Sequence, residues 1–248
     1  MKLAPSLHRI GSDMVNSYVV SDDVGVTVID AGIPGLWKDL ETALREMDRS
    51  ISDIRGLILT HGDSDHLGFA QRLSERGVPV YVHEADADLA TGKTNKKNPS
   101  WGKIKLGPTL GFLWYSGRRG GMKVIPVADV TMVTGGETLD LPGSPLIIHV
   151  PGHSPGSIAI YVSSVRAVFV GDALTTRHVL TGAVGPQPAP FTLDEEGAAG
   201  SLAKLEGLDA HWVLPGHGPP WDGGVNEAVR RVRLAAAAKG VRGIEPVS

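Results

Sequence analysis

The chain of 248 residues contains no cysteine. That absence excludes disulfides, thiolate zinc sites and a cysteine nucleophile together, so any metal ion must be held by histidine and carboxylate. An apolar run long enough to span a bilayer is also lacking, and no membrane partner is expected. The N-terminal stretch MKLAPSLHRIGSDM has no apolar segment of the secretory kind, so the expectation is a cytoplasmic protein. Basic surplus is missing too. The net charge is −3, which argues against a nucleic-acid partner. One stretch lacks a single sign of charge altogether: no Asp or Glu occurs between Asp88 and Asp129, where eight Lys and Arg residues do. Trp101, Phe112, Trp114 and Tyr115 lie among them.

What is present is an ordinary globular balance, 42% hydrophobic and 21% charged, in a chain long enough for a sizeable core. Short β-rich runs alternate with amphipathic helical runs, the pattern of an α/β protein. Val24–Ile29 reads as a buried strand ending at Asp30. Leu36–Met47 reads as a helix with Leu36, Leu40, Ala43, Leu44 and Met47 on one face. Leu57–Leu59 is the next strand. The helix after His66 turns Leu67, Ala70 and Leu73 inward and stops at Gly77, and Val78–Val82 is a further strand. The second half echoes the first. AVFVGDA repeats the strand-then-Asp ending of VTVIDAG, and LAKLEGLDAHWVLPGHG repeats the helix–strand–His order that ends in LILTHG. Two similar αβ halves sharing one core are expected, as a single domain over residues 1–248. The basic, aromatic segment at about 91–124 reads as an insertion, and its glycines and prolines predict short helices over one long element.

Four strand-end loops carry the chemistry. The first, in LILTHGDSDHLG, holds His61, Asp63, Asp65 and His66 within six residues. PGHSPGS supplies His153, VGDA supplies Asp172 and LPGHGPP supplies His217. Neutral imidazole and carboxylate are the donors a divalent cation takes when thiolates are absent. Capping of the following helix by Ser64 or Asp65 would explain a polar loop, but it does not call for two histidines. A serine hydrolase is not expected.

The ordered set Asp30, His61-x-Asp63-x-Asp65-His66, His153, Asp172 and His217 resembles the five motifs of the metallo-β-lactamase-fold hydrolase superfamily. The resemblance implies an αβ/βα sandwich with a dinuclear metal site at one edge. It implies that His61, Asp63 and His153 hold the first metal ion. Asp65, His66 and His217 would hold the second, with Asp172 bridging and Asp30 supporting a ligand histidine. It further implies a metal-activated hydroxide as nucleophile, with Asp65 also orienting it or carrying its proton. Asp63 departs from the family pattern, which has a histidine there. An oxygen donor remains a zinc ligand while favouring manganese or iron more than imidazole does. The cofactor expectation is therefore two divalent ions, zinc first, with manganese or iron as alternatives.

Of the other histidines, His8, His83, His149 and His211 read as structural, and His178 as a candidate substrate contact close after Asp172. Trp101, Trp114 and Tyr115 make the insertion a candidate pocket wall, lid or homodimer contact. The leading expectation is metal-dependent hydrolysis of a small ester-, lactone-, thioester- or amide-like substrate. The alternatives are a mononuclear-iron sulfur dioxygenase on the same fold and a non-catalytic metal-binding interaction protein. Fold alone does not choose the substrate.

Overall fold

The computed structural model describes residues 1–96, 103–238 and 240, so Trp101 lies outside the described residues. The first half supplies strands β1 (Lys2–Ala4), β2 (Leu7–Ser12), β3 (Val15–Ser21), β4 (Val26–Ile29), β5 (Ile54–Ile58), β6 (Val80–His83) and β7 (Thr131–Val133). They form one seven-stranded sheet in sequence order, antiparallel from β1 to β4 and parallel from β4 to β7. Parallel neighbours need crossovers. Helix α1 (Trp37–Glu46) bridges β4 and β5, and α2 (Ala70–Ser74) bridges β5 and β6. Helices α3 (Ala87–Ala90) and α4 (Leu106–Arg118) lie between β6 and β7.

The second half contains β8 (Leu146–His149), β9 (Ile158–Val162), β10 (Ala167–Gly171) and β13 (Trp212–Pro215), in the sheet order β13-β10-β9-β8. Strands β11 (Thr175–Arg177) and β12 (Val184–Gln187) pair separately, and helices α5 (Glu195–Ser201) and α6 (Val225–Ala238) complete this half. The echo read in the sequence appears in the pairing. β4 and β5 are parallel around α1, and β10 and β13 are parallel with α5 between them in the chain.

Side-chain alternation sorts the core into layers. Val26, Val28, Leu57 and Leu59 face Leu40, Leu44 and Leu73 of the helices. Their neighbours Ile29 and Ile58 face the other sheet, against Ile160, Phe169 and Leu214. The outer face of that sheet, with Val168, Val170 and Val213, packs on Leu202, Leu205, Val229 and Val232. The result is a four-layer αβ/βα sandwich. Covered on both faces, β4 (VTVI) is buried throughout and β5 (IRGLI) is buried except at Arg55, so neither strand shows a clean in–out alternation of apolar and polar residues. Each such side chain, fully buried, contributes about 1.5–3 kcal/mol.

The structure differs from the sequence reading in three places. The insertion holds a thirteen-residue helix, α4, despite its glycines and proline. Pro108 sits in the first turn, where a missing N–H costs nothing, and Gly107, Gly111 and Gly117 face open space. The helix after His66 is short, Ala70–Ser74, because residues 67–69 turn to bond the β4 loop, Gly68 N to Gly32 O and Phe69 N to Ala31 O. Helix α6, with Val225, Ala228, Val229, Val232 and Ala236 buried at helical spacing, went unread. No helix among the described residues is long and apolar enough to cross a membrane.

Candidate metal centre

Each motif lies where a strand runs out. Asp30 follows β4, the His61–His66 loop follows β5, Asp172 follows β10 and His217 follows β13. His153 lies on the turn joining β8 to β9. Both sheets end at the same edge, which brings residues up to 156 positions apart into one cleft. Close approach is demanded at Gly216. A Cβ there would stand 2.5 Å from Asp172 Oδ1 and from the His66 ring, so only glycine fits.

The four cleft histidines share one orientation. Asp30 Oδ2 accepts from His66 Nδ1 at 2.8 Å. The Thr60 hydroxyl donates to Asp30 at 2.8 Å, so its oxygen takes the Nδ1–H of His61 at 3.0 Å. The Thr192 hydroxyl donates to Ala189 O, leaving its oxygen for His153 Nδ1 at 3.3 Å. His217 Nδ1 donates to Met14 O. With every Nδ1 committed outward, each Nε2 faces the cleft, which is the tautomer a metal ligand requires. Asp30 is held in the left-handed region at φ 58° to do this, and its two hydrogen bonds from Thr60 offset a strain of about 1–2 kcal/mol.

Three groups of donor atoms gather closely enough to hold a metal ion: His61, Asp63 and His153; Asp65, His66 and His217; and His61, His66 and Asp172. Asp172 lies between the halves, with Oδ2 at 3.2 Å from His217 Nε2 and 3.8 Å from His153 Nε2, and Oδ1 at 3.7 Å from His66 Nε2. His61 Nε2, His66 Nε2 and Asp172 Oδ1 are buried without a hydrogen-bond partner. Three inward-facing polar atoms left unsatisfied would cost folding free energy in a purely structural cluster. A divalent cation fits that donor set.

The electrostatics point the same way. Burial works against a charged ring at His66, but Asp30, Asp172 and Asp65 outweigh it and raise its pKa to about 9. His217 is also pushed well above its ordinary value: burial opposes, and Asp172 and Asp65 prevail. Asp172 is held well below the usual carboxylate range, burial being overcome by His217, His66 and His153. Both histidine shifts mark the Asp172 side of the cleft as a place that favours positive charge. His153 goes the other way, lowered chiefly by burial.

Asp63 occupies the N-cap position of the Ser64–His66 turn but makes no side-chain cap, so capping does not account for it. Its Oδ2 lies 3.1 Å from His153 Nε2 and 3.5 Å from His61 Nε2. Lys96 also reaches it, with Nζ 2.5 Å from Asp63 Oδ2 and 2.9 Å from His153 Nε2. Sequence reasoning counted Lys96 only as one of the insertion's basic residues.

Above these groups opens a cavity of about 470 Å³, walled by Ile33, Leu67, Leu89, Phe112, Leu113 and Val179 among others, with Asp63, Asp65, Asp172 and His217 also lining it. The expected substrate contacts need correction. Trp114 is exposed and carries Arg118 against its ring, and Tyr115 packs toward the helix layer under Arg119. Neither lines the cavity, because α4 presents Phe112, Leu113 and Ser116 to it, and residues 114 and 115 point elsewhere on the helical circle. His178 does not line it either. Its carbonyl closes a turn from Thr181 and Gly182, and Val179 takes the wall position. His83 and His149 stack on each other and bond to Thr134 O and Pro155 O, while His8 is buried beside Glu46. His211 lies against Trp212.

Gly152-His153-Ser154-Pro155-Gly156 spells the Gly-x-Ser-x-Gly string of serine hydrolases, and Ser201-x-x-Lys204 a Ser-x-x-Lys. The motif of the first kind needs a strand–turn–helix with an exposed hydroxyl. Ser154 instead lies between two strands, buried, donating to Asp86 Oδ2 at 2.6 Å. Ser201 is buried and bonds Ala198 O. Asp86 is a supporting residue that sequence reasoning missed. Its carboxylate also accepts from Gly62 N at 2.9 Å and Gly156 N at 2.8 Å, tying the His61 loop to the His153 loop.

The model of the metallo-beta-lactamase superfamily matches residues 10–217. The probable metallo-hydrolase YflN of Bacillus subtilis is 28% identical over 244 residues, spanning 89% of this chain and 86% of its own. Among solved structures, the metallo-beta-lactamase family protein TTHA1429 from Thermus thermophilus has a TM-score of 0.69 at 21% identity, over 96% of this chain and 81% of that one; the likeness is one of fold. TTHA1623, solved in a di-iron-bound form, is 26% identical with a TM-score of 0.57, over 89% and 96% of the two chains.

Proposed function

The chain belongs to the metallo-β-lactamase superfamily, and from that premise we propose that it is a metal-dependent hydrolase of a small ester-, lactone-, thioester- or amide-like bond. The observation that carries this reading is the set of four Nε2 atoms held inward by their Nδ1 partners toward shared carboxylates, with His153 and His217 opening onto one cavity. Two overlapping donor sets, His61–Asp63–His153 and Asp65–His66–His217, would hold divalent ions, with Asp172 reaching both. Zinc suits the imidazole-rich set, and the carboxylates also suit manganese or iron. A divalent cation there would make water a nucleophile near neutral pH and polarise the scissile carbonyl.

The chain's own groups supply the rest. Asp65, whose carboxyl is held below its ordinary value by His217 and His66 against the effect of burial, can accept a proton from the attacking water. Asp30 and Thr60 fix the rings of His66 and His61 so that the cleft need not reorganise. Ile33, Leu67, Phe112 and Val179 offer apolar surface to a substrate's non-reacting part and keep bulk water away. The test is a panel of lactones, thioesters, aryl esters and β-lactams, assayed before chelation, after it, and after reloading with zinc or manganese. Turnover lost and regained with metal is the expected result. No metal-dependent turnover on any member would overturn the proposal.

A second reading has one observation in its favour. With Lys96 in the Asp63 half, Asp65, His66 and His217 form a two-His, one-carboxylate set of the kind that suits mononuclear iron and oxygen chemistry. Oxygen uptake on a persulfide by iron-containing protein would select this dioxygenase reading over hydrolysis.

A further inference from the structure

We propose that Lys96 is a built-in cation seated in the Asp63 half of the centre. The protein would then hold one metal ion firmly and admit a second only by displacing its own lysine. This rests on the metal-centre reading above and adds to it an inequality between the two halves.

The geometry is that of a plug. Lys96 Nζ lies within hydrogen-bond distance of Asp63 Oδ2 and of His153 Nε2, two of the three donors of the first set. Its side chain is only 12% exposed, against 71% for Lys93 three residues earlier. The backbone leading to it is pinned, since Lys93 N and Thr94 N both donate to Asp88 O in the first turn of α3. An ammonium is a compact point charge with three donors and no acceptor, so it can satisfy a carboxylate and an imidazole lone pair together. Metal donors and ammonium acceptors are the same atoms, and occupancy is exclusive.

Charge explains why the partner is Asp63. A neutral imidazole at that position would offer the lysine no opposite charge; the carboxylate does. Asp63, Asp65 and Asp172 bring three negative charges to the cleft. One divalent cation in the Asp65–His66–His217 set and one ammonium in the other match them. A second divalent cation placed beside a retained ammonium would meet a like charge at a few ångströms with little water between. The second ion must therefore expel Lys96 toward the cavity.

The experiment titrates chelated protein with zinc by calorimetry, with elemental analysis at each plateau. Wild type should bind one equivalent tightly and a second separately and more weakly. In Lys96→Met the second equivalent should tighten by about tenfold or more while the first is unchanged, tenfold being a modest allowance for one removed like charge. Lys96→Arg should keep the separation. In parallel, wild type is acylated with an amine-reactive reagent and read by peptide mass spectrometry. Lys96 should be protected at zero and one equivalent and become reactive with the second, with Lys93 reactive throughout. This arm decides the matter even if a variant fails to fold. Two equivalents of equal affinity, unaltered in Lys96→Met, or a Lys96 as reactive as Lys93 in metal-free protein, would overturn the proposal while leaving the metal centre intact. No zinc bound by wild type or variants would overturn both.

Discussion

Asp86 makes a sharp test of how the site is held, because it is not itself a proposed ligand and does not line the cavity. It is 1% exposed and accepts three hydrogen bonds: from Gly62 N and the Ser154 hydroxyl on Oδ2, and from Gly156 N on Oδ1. Gly62 follows His61 directly, and Ser154 and Gly156 flank the turn that carries His153. The fit is close enough that a Cβ on Gly156 would stand 2.7 Å from Asp86 atoms. Asp86→Ala leaves the buried Gly62 and Gly156 N–H groups unpartnered at about 1–3 kcal/mol each, while the Ser154 hydroxyl can turn to Ser157 Oγ at 2.8 Å. Water entering the vacated space would recover some of this, so a loss of about 3–5 kcal/mol is expected. Asp86→Asn keeps an oxygen for the pair of donors on one side and turns an amide N–H against the third, a loss of about 1–3 kcal/mol. Because the two tied loops carry His61 and His153, the Asp63 half should loosen before the Asp65 half. Metal affinity there should fall about 10–100-fold, the usual range for residues that orient ligands. Denaturant unfolding of chelated protein measures the first effect and metal calorimetry the second. Asp86→Ala within about 0.5 kcal/mol of wild type, with both metal affinities unchanged, would refute the reasoning.

Two further predictions use other parts of the site. The pKa of His66 rises from 6.5 to about 9 in the metal-free fold, so its contribution to stability is complete below pH 6.5 and is lost as pH climbs through 9. Asp63, Asp65 and Asp172 have lowered values, and their contribution is present above pH 3.8 and lost as pH falls through the folded values. The chelated protein should accordingly be most stable between those limits and weaken toward pH 9, with metal affinity rising over the same range as the competing proton leaves; thermal midpoints that stay flat or rise from pH 6.5 to 9 would count against this. Phe112 stands edge-on to His217 across the cavity, 6.0 Å between centroids. Phe112→Ala should raise KM for substrates with an apolar group about tenfold, leaving metal stoichiometry alone, and a loss confined to kcat would show that the ring serves the chemistry instead.

The residues that converge in the cleft were legible in the sequence because each sits in a local pattern that recurs. An apolar strand runs out, and a turn exposes His or Asp; each of the four loops carries that signature within a few letters. Strands and α1 were legible for the same reason, their apolar spacing being written in consecutive residues. What stayed hidden depends on pairs far apart in the chain. Lys96 meets Asp63 across 33 positions, and Asp86 meets Ser154 and Gly156 across 68 and 70. No spacing rule links such partners, so neither Lys96 nor Asp86 stands out in the sequence. The aromatics of α4 failed differently. Trp114 and Phe112 are equally suited by composition to a pocket wall, and only the side on which the sheet edge lies decides between them. The string Gly152-x-Ser154-x-Gly156 is the converse case, a pattern whose letters fit while its strand–turn–strand setting denies it an exposed hydroxyl.

The odd letter in the His61–His66 loop ties these threads together. A carboxylate in place of imidazole at position 63 changes more than one ligand's hardness, since it creates a charge that the chain can answer from within. Lys96 answers it at hydrogen-bond distance, and the two halves of the centre cease to be equivalent. One half, Asp65, His66 and His217, favours positive charge through its carboxylate neighbours, and Asp65 and His217 open onto the cavity. The other already has a cation, covalently attached and held by a pinned backbone. Motif scoring treats Asp63 as a weakened ligand, and charge counting treats it as one member of a pair. The second description accounts for both residues, since a buried lysine without Asp63 would lack a counter-charge and Asp63 without Lys96 would lose its fixed cationic partner.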